Sequence, residues 1–509
     1  MAPYPPFPRK QALDKDLKKV VALETAGRAG GVRLVPLGLA LVFLVLAWAL
    51  AAGQDVPGAG GGLIVAAAIV GGYMALNIGA NDVANNMAPA VGARALTMGG
   101  ALVVAAVFEA AGALIAGADV VGTVSKGIID PALIADRDVF VALMMAALLG
   151  AALWLNLATW IGAPVSTTHS IVGGVLGAGI TAAGLSAANW TVMAAIAASW
   201  VVSPMLGGVI AAALLAILNA LILQAGDRVA AARRWVPVVV AVTAATFSAY
   251  LAKKGLSKIW EPPAWALLAL AAAVFGIAFA AVRRVVDRQA PRLENTKKAV
   301  GTLFTIPLIV GAALLSFAHG ANDVANAIGP LAAIVAAVEG TAGSTVAVPA
   351  WIMVIGAAGI AVGLALFGPR LIRMVGEKIT KLNPVRAFCV AVSAATTVLA
   401  ASALGLPVSS THIAVGAVFG VGLARERYAG RGRHMRRAQR LRETPADATQ
   451  PAPAADPEVK RQKAERRKLV RRRHLLTIVA AWLITVPMTA AVSALLYLAM
   501  VRMLPAIGG

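Results

Sequence analysis

Apolar stretches long enough to cross a bilayer recur along almost the whole of this chain, at roughly residues 34–52, 62–90, 98–118, 139–160, 165–184, 193–222, 236–252, 264–282, 300–336, 348–369, 386–404, 407–423 and 475–503. One soluble interior cannot hide that much apolar surface, so the bilayer must be the solvent. Inside a bilayer every backbone polar group has to be satisfied within the chain, which admits only helices or closed barrels. The stretches are rich in Ala, Leu, Val and Gly and lack the two-residue alternation of a barrel. The expected fold is therefore all-α, a polytopic membrane protein of about 12–13 transmembrane helices. The composition, 60% hydrophobic and 13% charged, agrees.

The formal charge of +22 would suit nucleic acid or anionic lipid, but its distribution decides between them. Threading the apolar stretches from a cytoplasmic N-terminus puts most positive loops on the cytoplasmic side: Arg94; Arg228, Arg233 and Arg234; Arg283 to Lys298; Arg370 to Arg386; and the basic segment 425–473. Lys253, Lys254 and Lys258 fall outside and run against the pattern. No aromatic residues interleave the basic blocks, so they read as topology anchors against anionic headgroups, and no nucleic-acid partner is expected. Arg9 to Arg33 precede the first apolar stretch, which is read as a retained anchor helix because it is too long for a signal-peptide core. The lone Cys389 excludes an intrachain disulfide.

Two features stand out within the oil. Gly79-Ala80-Asn81-Asp82-Val83-Ala84-Asn85 recurs unchanged as Gly320-Ala321-Asn322-Asp323-Val324-Ala325-Asn326, and Gly162-Ala163-Pro164-Val165-Ser166-Thr167-Thr168-His169 recurs as Gly405-Leu406-Pro407-Val408-Ser409-Ser410-Thr411-His412. The copies are 241 and 243 residues apart, in the same order, which marks a duplicated unit. The second Asp-bearing stretch lies an odd number of crossings after the first, so the repeats are expected to be inverted. Broken or re-entrant helices would then meet at the midplane.

An ionised Asp in a membrane helix costs about 2.5–3.5 kcal/mol on the insertion scale, so two of them need a reason. Asp82 with Asn85, and Asp323 with Asn326, are spaced three apart and share a helix face, offering oxygens to a hard cation or a site for a proton. Close helix packing is the alternative use of these small and polar residues. In the second motif a Pro precedes hydroxyls at the start of an apolar helix, which caps a helix and leaves N–H groups at its positive end, a ready anion site. Glu109 is a further intramembrane acid, readable as a cation or proton ligand or as a partner for a buried donor. His169 and His412 are read as structural hydrogen-bonders. No phosphate loop, zinc motif or nucleophile elbow is present, so no enzymatic chemistry and no cofactor are expected.

With both motifs doubled and intact, the chain resembles the inorganic phosphate transporter family, secondary symporters that move phosphate with sodium ions or protons. Phe108 to Pro131 is similar to the family as well, and the resemblance runs from about residue 62 to 503, leaving out the basic insert. It implies that Ser166, Thr167, Thr168, Ser409, Ser410 and Thr411, with Asn81 and Asn322, contact phosphate. It implies that Asp82, Asn85, Asp323 and Asn326, with Glu109, serve the coupling proton or sodium ion, Asp82 and Asp323 being the metal ligands if sodium is that ion. The chain departs from animal sodium-coupled relatives where they carry a Glu before each Ser/Thr motif; Met144 and Ala391 stand there here.

The organisation expected is a cytoplasmic extension (1–33), an extra membrane helix (34–60), a first transport repeat (61–235), connecting helices with a basic loop (236–299), a second repeat begun at 300–424 and closed by a last helix (474–509), and a basic cytoplasmic insert, disordered or a loose helix (425–473). The setting expected is a bacterial inner membrane, with phosphate, the coupling cation and lipid as partners and a homodimer left open. A sulfate permease on the same scaffold and a membrane enzyme acting on phosphate esters are the alternatives.

Overall fold

The computed structural model describes residues 34–54, 60–134, 136–163, 165–256, 260–341, 348–378, 382–443 and 472–507. The expected extension 1–33, most of the insert and Pro164 lie outside them. The described residues fold into helices: α1 (Leu34–Ala52), α2 (Gly60–Gly92), α3 (Met98–Ala116), α4 (Arg137–Ile161), α5 (Thr167–Ala183), α6 (Trp190–Leu218), α7 (Arg228–Leu256), α8 (Ala264–Gln289), α9 (Thr305–Asp323), α10 (Ala325–Val338), α11 (Ala350–Lys378), α12 (Pro384–Ala403), α13 (Ser410–Glu443) and α14 (Arg472–Ile507). Eleven helices are long and apolar enough to cross a membrane, α9 and α10 counting together. The helices α5 and α13, which open on the Ser/Thr motifs, are not among the eleven. The helix α13 continues through Glu443, into the first part of the insert, which the sequence lets be disordered or a loose helix.

Packing between lipid-embedded helices has no hydrophobic drive, so small residues that let backbones touch decide it. Four glycines do this at the centre. A Cβ on Gly79 of α2 would strike the Ile360 carbonyl of α11, and one on Gly363 would strike that of Leu76. In the other half a Cβ on Gly320 of α9 would strike the Glu109 carbonyl of α3, and one on Gly112 that of Phe317. The two contacts are the same contact made twice: Gly79 and Leu76 stand 241 residues before Gly320 and Phe317, and Glu109 and Gly112 stand 251 before Ile360 and Gly363.

The Ser/Thr motifs sit in two matched helical hairpins. Chain reversal after α4 uses Gly162 at φ 75°, and after α12 it uses Gly405 at φ 68°, left-handed caps that an L side chain resists. Each hairpin is covered by a helix from the other half. The last helix, α14, packs Val486 and Ala490 onto Gly173 and Gly177 of α5, and α6 packs Pro204 and Gly208 onto Gly416 and Gly420 of α13. By contrast α8 packs along α7, with Arg233 ion-paired to Asp287 at 2.9 Å, and leaves Trp265, Leu268 and Ile277 about 70% exposed, while α1 docks Phe43 into the notches at Gly72 and Gly359. Lys253 and Lys254, the exceptions to the charge pattern, are ion-paired with Glu261 (2.7 Å) and Asp119 (2.6 Å).

Candidate functional site

The middle of α2, the α9–α10 junction and the two hairpin turns converge on one buried polar cluster. Asp82, Glu109, His319 and Asp323 are each 0% exposed, and Asn81, Asn322, Asn326 and the residues Ser166 to Thr168 and Ser409 to His412 are at 2% or less, with His169 at 4%. A buried polar group is tolerated only when it is bonded, so the partners show how the site is built.

The doubled motifs interlock across the halves. Thr411 of the second hairpin donates to Asp82 Oδ1 (3.3 Å) and accepts from Asn85 Nδ2 (2.8 Å). Reciprocally, Asn326 Nδ2 lies 3.3 Å from both Thr167 Oγ1 and Thr168 Oγ1 of the first hairpin. Ser410 donates to Asp323 Oδ2 at 3.0 Å. The helix-face expectation holds in the first copy, where Asn85 bonds Asp82 Oδ1 at 3.3 Å. In the second copy the helix is interrupted at Val324, one residue after the Asp, and Asn326 turns to the opposite hairpin instead.

Other motif residues hold the turns. Ser166 and Ser409 cap α5 and α13 by accepting from the His169 and His412 N–H groups at 3.2 and 3.3 Å. Asn81 donates to Thr159 of α4 (3.0 Å) and Asn322 to Ser402 of α12 (2.8 Å), the same interhelix bond in each half. Asn322 also donates to the Leu406 carbonyl (3.2 Å) and accepts from the Val408 N–H (3.2 Å). Both of its N–H groups and its carbonyl are thus used in bracing the turn. Thr168 likewise donates to the Val408 carbonyl at 2.9 Å. His169 and His412 pack edge to face at 4.4 Å, with Trp200 of α6 against His169 at 3.8 Å.

The residue that sequence reasoning passed over is His319. Its imidazole is the centre of the cluster: Nδ1 lies 3.1 Å from Glu109 Oε2, and Nε2 lies 2.9 Å from Asp323 Oδ2 and 3.7 Å from Asp82 Oδ2. Asn86 completes it, donating to Glu109 Oε1 at 2.8 Å. The signal was one of difference. Matching identical letters finds the heptapeptides, whereas His319 faces Ile78 in the other copy, Glu109 faces Ile360, and Asn86 faces Ala327. The acid–imidazole pair belongs to one half only.

Three buried carboxylates against one imidazole leave negative charge uncompensated even when the ring is protonated, and burial makes that charge costly. A neutral ring carries a proton on only one of its two nitrogens, so it would aim the lone pair of the other at a neighbouring carboxylate. The arrangement is stable only with a proton or a metal cation among these groups. Oxygens stand ready for one: Asn81 Oδ1, Asp323 Oδ1 and Asn326 Oδ1 are buried without a hydrogen-bond partner. Ligand atoms of Asp82, His319 and Asp323 lie within 4.8 Å of one another, close enough to share one ion. The N-termini of α5 and α13 supply the opposite chemistry, N–H donors for an anion, beside hydroxyls of Thr168, Ser410 and Thr411 that here donate to the Val408 carbonyl, Asp323 and Asp82. At Met144 and Ala391 the chain places fully buried apolar side chains, so neither position contributes a carboxylate.

Comparison with known proteins bears on this geometry. The sequence model of the phosphate transporter family matches residues 78–493. A Helicobacter pylori protein with the provisional name phosphate permease is 51% identical over 416 residues, covering 81% of this chain and 78% of the relative. The chloroplastic inorganic phosphate transporter 2-1 of Arabidopsis thaliana is 39% identical, covering 71% of this chain and 66% of the relative. A solved structure titled the sodium-dependent phosphate transporter superposes with a TM-score of 0.72 at 35% identity, covering 86% of this chain and 99% of that one.

Proposed function

This chain belongs to the phosphate transporter family, and from that premise we propose that it is a secondary transporter that imports inorganic phosphate together with a proton or a sodium ion. The observation that carries this reading is the crosswise bonding of the two motifs, Asp82 to Thr411 and Asn326 to Thr167 and Thr168. It puts anion donors and cation acceptors in one buried place supplied by both halves. Phosphate is held between the N-termini of α5 and α13, where Thr167, Thr168, Ser410 and Thr411 turn their hydroxyls to it, the last three from the acceptors they now bond, and Ser166 and Ser409 keep the helix ends open toward it. Asp82 and Asp323, with Asn85, Asn326, His319 and Glu109, hold the coupling cation, while Asn81 and Asn322 fasten the hairpin turns.

Such a site couples the two fluxes by charge. The phosphate anion cannot enter beside three carboxylates until their charge is offset, and a cation is held poorly there without the anion. Two repeats of opposite orientation, rocking about the site, then expose it to either face in turn. The setting that fits is a bacterial inner membrane, with residues 1–33 and 425–473 on the cytoplasmic side, where anionic lipid attracts their positive charge.

Reconstitution tests this directly. Labelled phosphate should accumulate in vesicles when an inward sodium or proton gradient is imposed by itself, and the gradient that drives uptake names the ion. Uptake unmoved by either gradient, or displaced equally by sulfate, would overturn the assignment.

A further inference from the structure

A second site lies on the back of the hairpin helix α13. Between α6 and α13 runs a groove of about 860 Å³, lined mainly by Met205, Val209, Ala212, Phe419 and Leu423. Its volume is that of pockets that hold whole organic ligands, roughly 300–1,000 Å³. The groove exists because Gly208, Gly416 and Gly420 bring the two backbones into contact, which leaves a trough along the seam. It opens sideways: Met205 and Val209, on the membrane-crossing helix α6, and Leu423 opposite them on α13 are 66–67% exposed. What fills it must therefore come from the bilayer.

Its two ends differ. His412, beside the buried site, lies at one end, and Arg427 lies at the other. Along α13 these residues are about 22 Å apart at ~1.5 Å per residue. That is about one leaflet, half of a ~30 Å hydrocarbon core plus its interface. The groove thus spans from the protein's centre to a headgroup layer. Past its mouth α13 runs on as helix to Glu443 through Arg425, Arg427, Arg431, Arg433, Arg436 and Arg437, against Glu426 as the first acid. Clusters of this kind just beyond a membrane helix attract anionic lipid. The matching helix α5 stops at Ala183 and has no such continuation.

We propose that the α6–α13 groove seats an acyl chain of one anionic phospholipid whose headgroup phosphate is held at Arg427. The inference does not depend on what the buried site transports. Because α13 begins at Ser410, a lipid along its back also touches the helix that presents two of the hydroxyls of the buried site.

The test is native mass spectrometry of the purified full chain after delipidation, titrated with phosphatidylglycerol or with phosphatidylcholine. One phosphatidylglycerol should be retained in preference to phosphatidylcholine. Ala212→Trp fills the trough and should abolish that retention. Arg427→Gln should cut the preference about fivefold, the loss expected for one cation at an anionic surface. Arg427 is exposed, so its arm stands even where the tryptophan variant fails to fold. Equal retention of the two lipids by the unaltered chain, or undiminished phosphatidylglycerol on Ala212→Trp, would overturn the proposal. So would a dimer that Ala212→Trp splits to monomers without change in bound lipid, which would assign the groove to a second copy of the chain.

Discussion

The carboxylates at the centre do unequal jobs, and single substitutions separate them. Asp82 sits at full burial with Thr411, Asn85 and His319 around it. Asp82→Asn keeps the volume and the hydrogen bonds but removes the charge, so it should abolish phosphate uptake while the protein remains in the membrane at normal abundance. Thr411→Val deletes one bond to a carboxylate, worth about 1.5–3 kcal/mol, and leaves Asn85 only its longer bond to Asp82. It should raise the KM for phosphate about ten- to a hundredfold, measured as initial uptake rates in vesicles. His319→Gln should lose coupled uptake as fully as Asp82→Asn, because only the ring reaches Glu109 and both Asp residues at once; coupled uptake at the normal rate would remove His319 from the site. Asp82 and Asp323 were legible in sequence because a carboxylate in oil is conspicuous. His319 was not, because its importance lies in what surrounds it, and Glu109 stands 210 positions away along the chain.

At the scale of the element, the hairpin turns carry the design. Gly405 and Gly162 sit at the left-handed backbone angles that close the reversal before each Ser/Thr helix, and Thr123 of the segment after α3 donates to the Gly405 carbonyl at 2.6 Å. Gly405→Ala forces a Cβ into that region at about 1–2 kcal/mol. It should lower the unfolding midpoint in a thermal-shift measurement and weaken phosphate binding, while Gly99→Ala, in open space at the start of α3, should do neither. The turns could be read from sequence because Gly, Pro and hydroxyl residues have local meanings. The interruption at Val324 could not, since the two heptapeptides are identical and only the first continues as unbroken helix.

For the whole molecule, duplication is visible in the recurrence of the Gly79–Ile360 contact as Gly320–Glu109 and of the Asn81–Thr159 bond as Asn322–Ser402. If the two halves are inverted, the loops alternate in a checkable way. In a Cys389→Ser background, Arg94→Cys, just after α2, should react with an impermeant maleimide only from the cytoplasmic side and Glu339→Cys, just after α10, only from the outside; both reacting from one side would break the inverted arrangement. Which helices touch was beyond the sequence, because glycine contacts join residues hundreds of positions apart with no local mark. The pairing of α14 with α5, and of α6 with α13, is the clearest case.

That exchange of partners has a consequence for how the molecule is made. Synthesis delivers α5 early, but the helix that covers its glycine face, α14, is the last one described. Until α14 has been made, the first hairpin sits in the membrane with that face bare, so its packing must wait for a helix about 300 residues later in the chain. A phosphate transporter would thereby gain a safeguard: a chain that has not reached α14 holds no finished pathway through which solutes could leak.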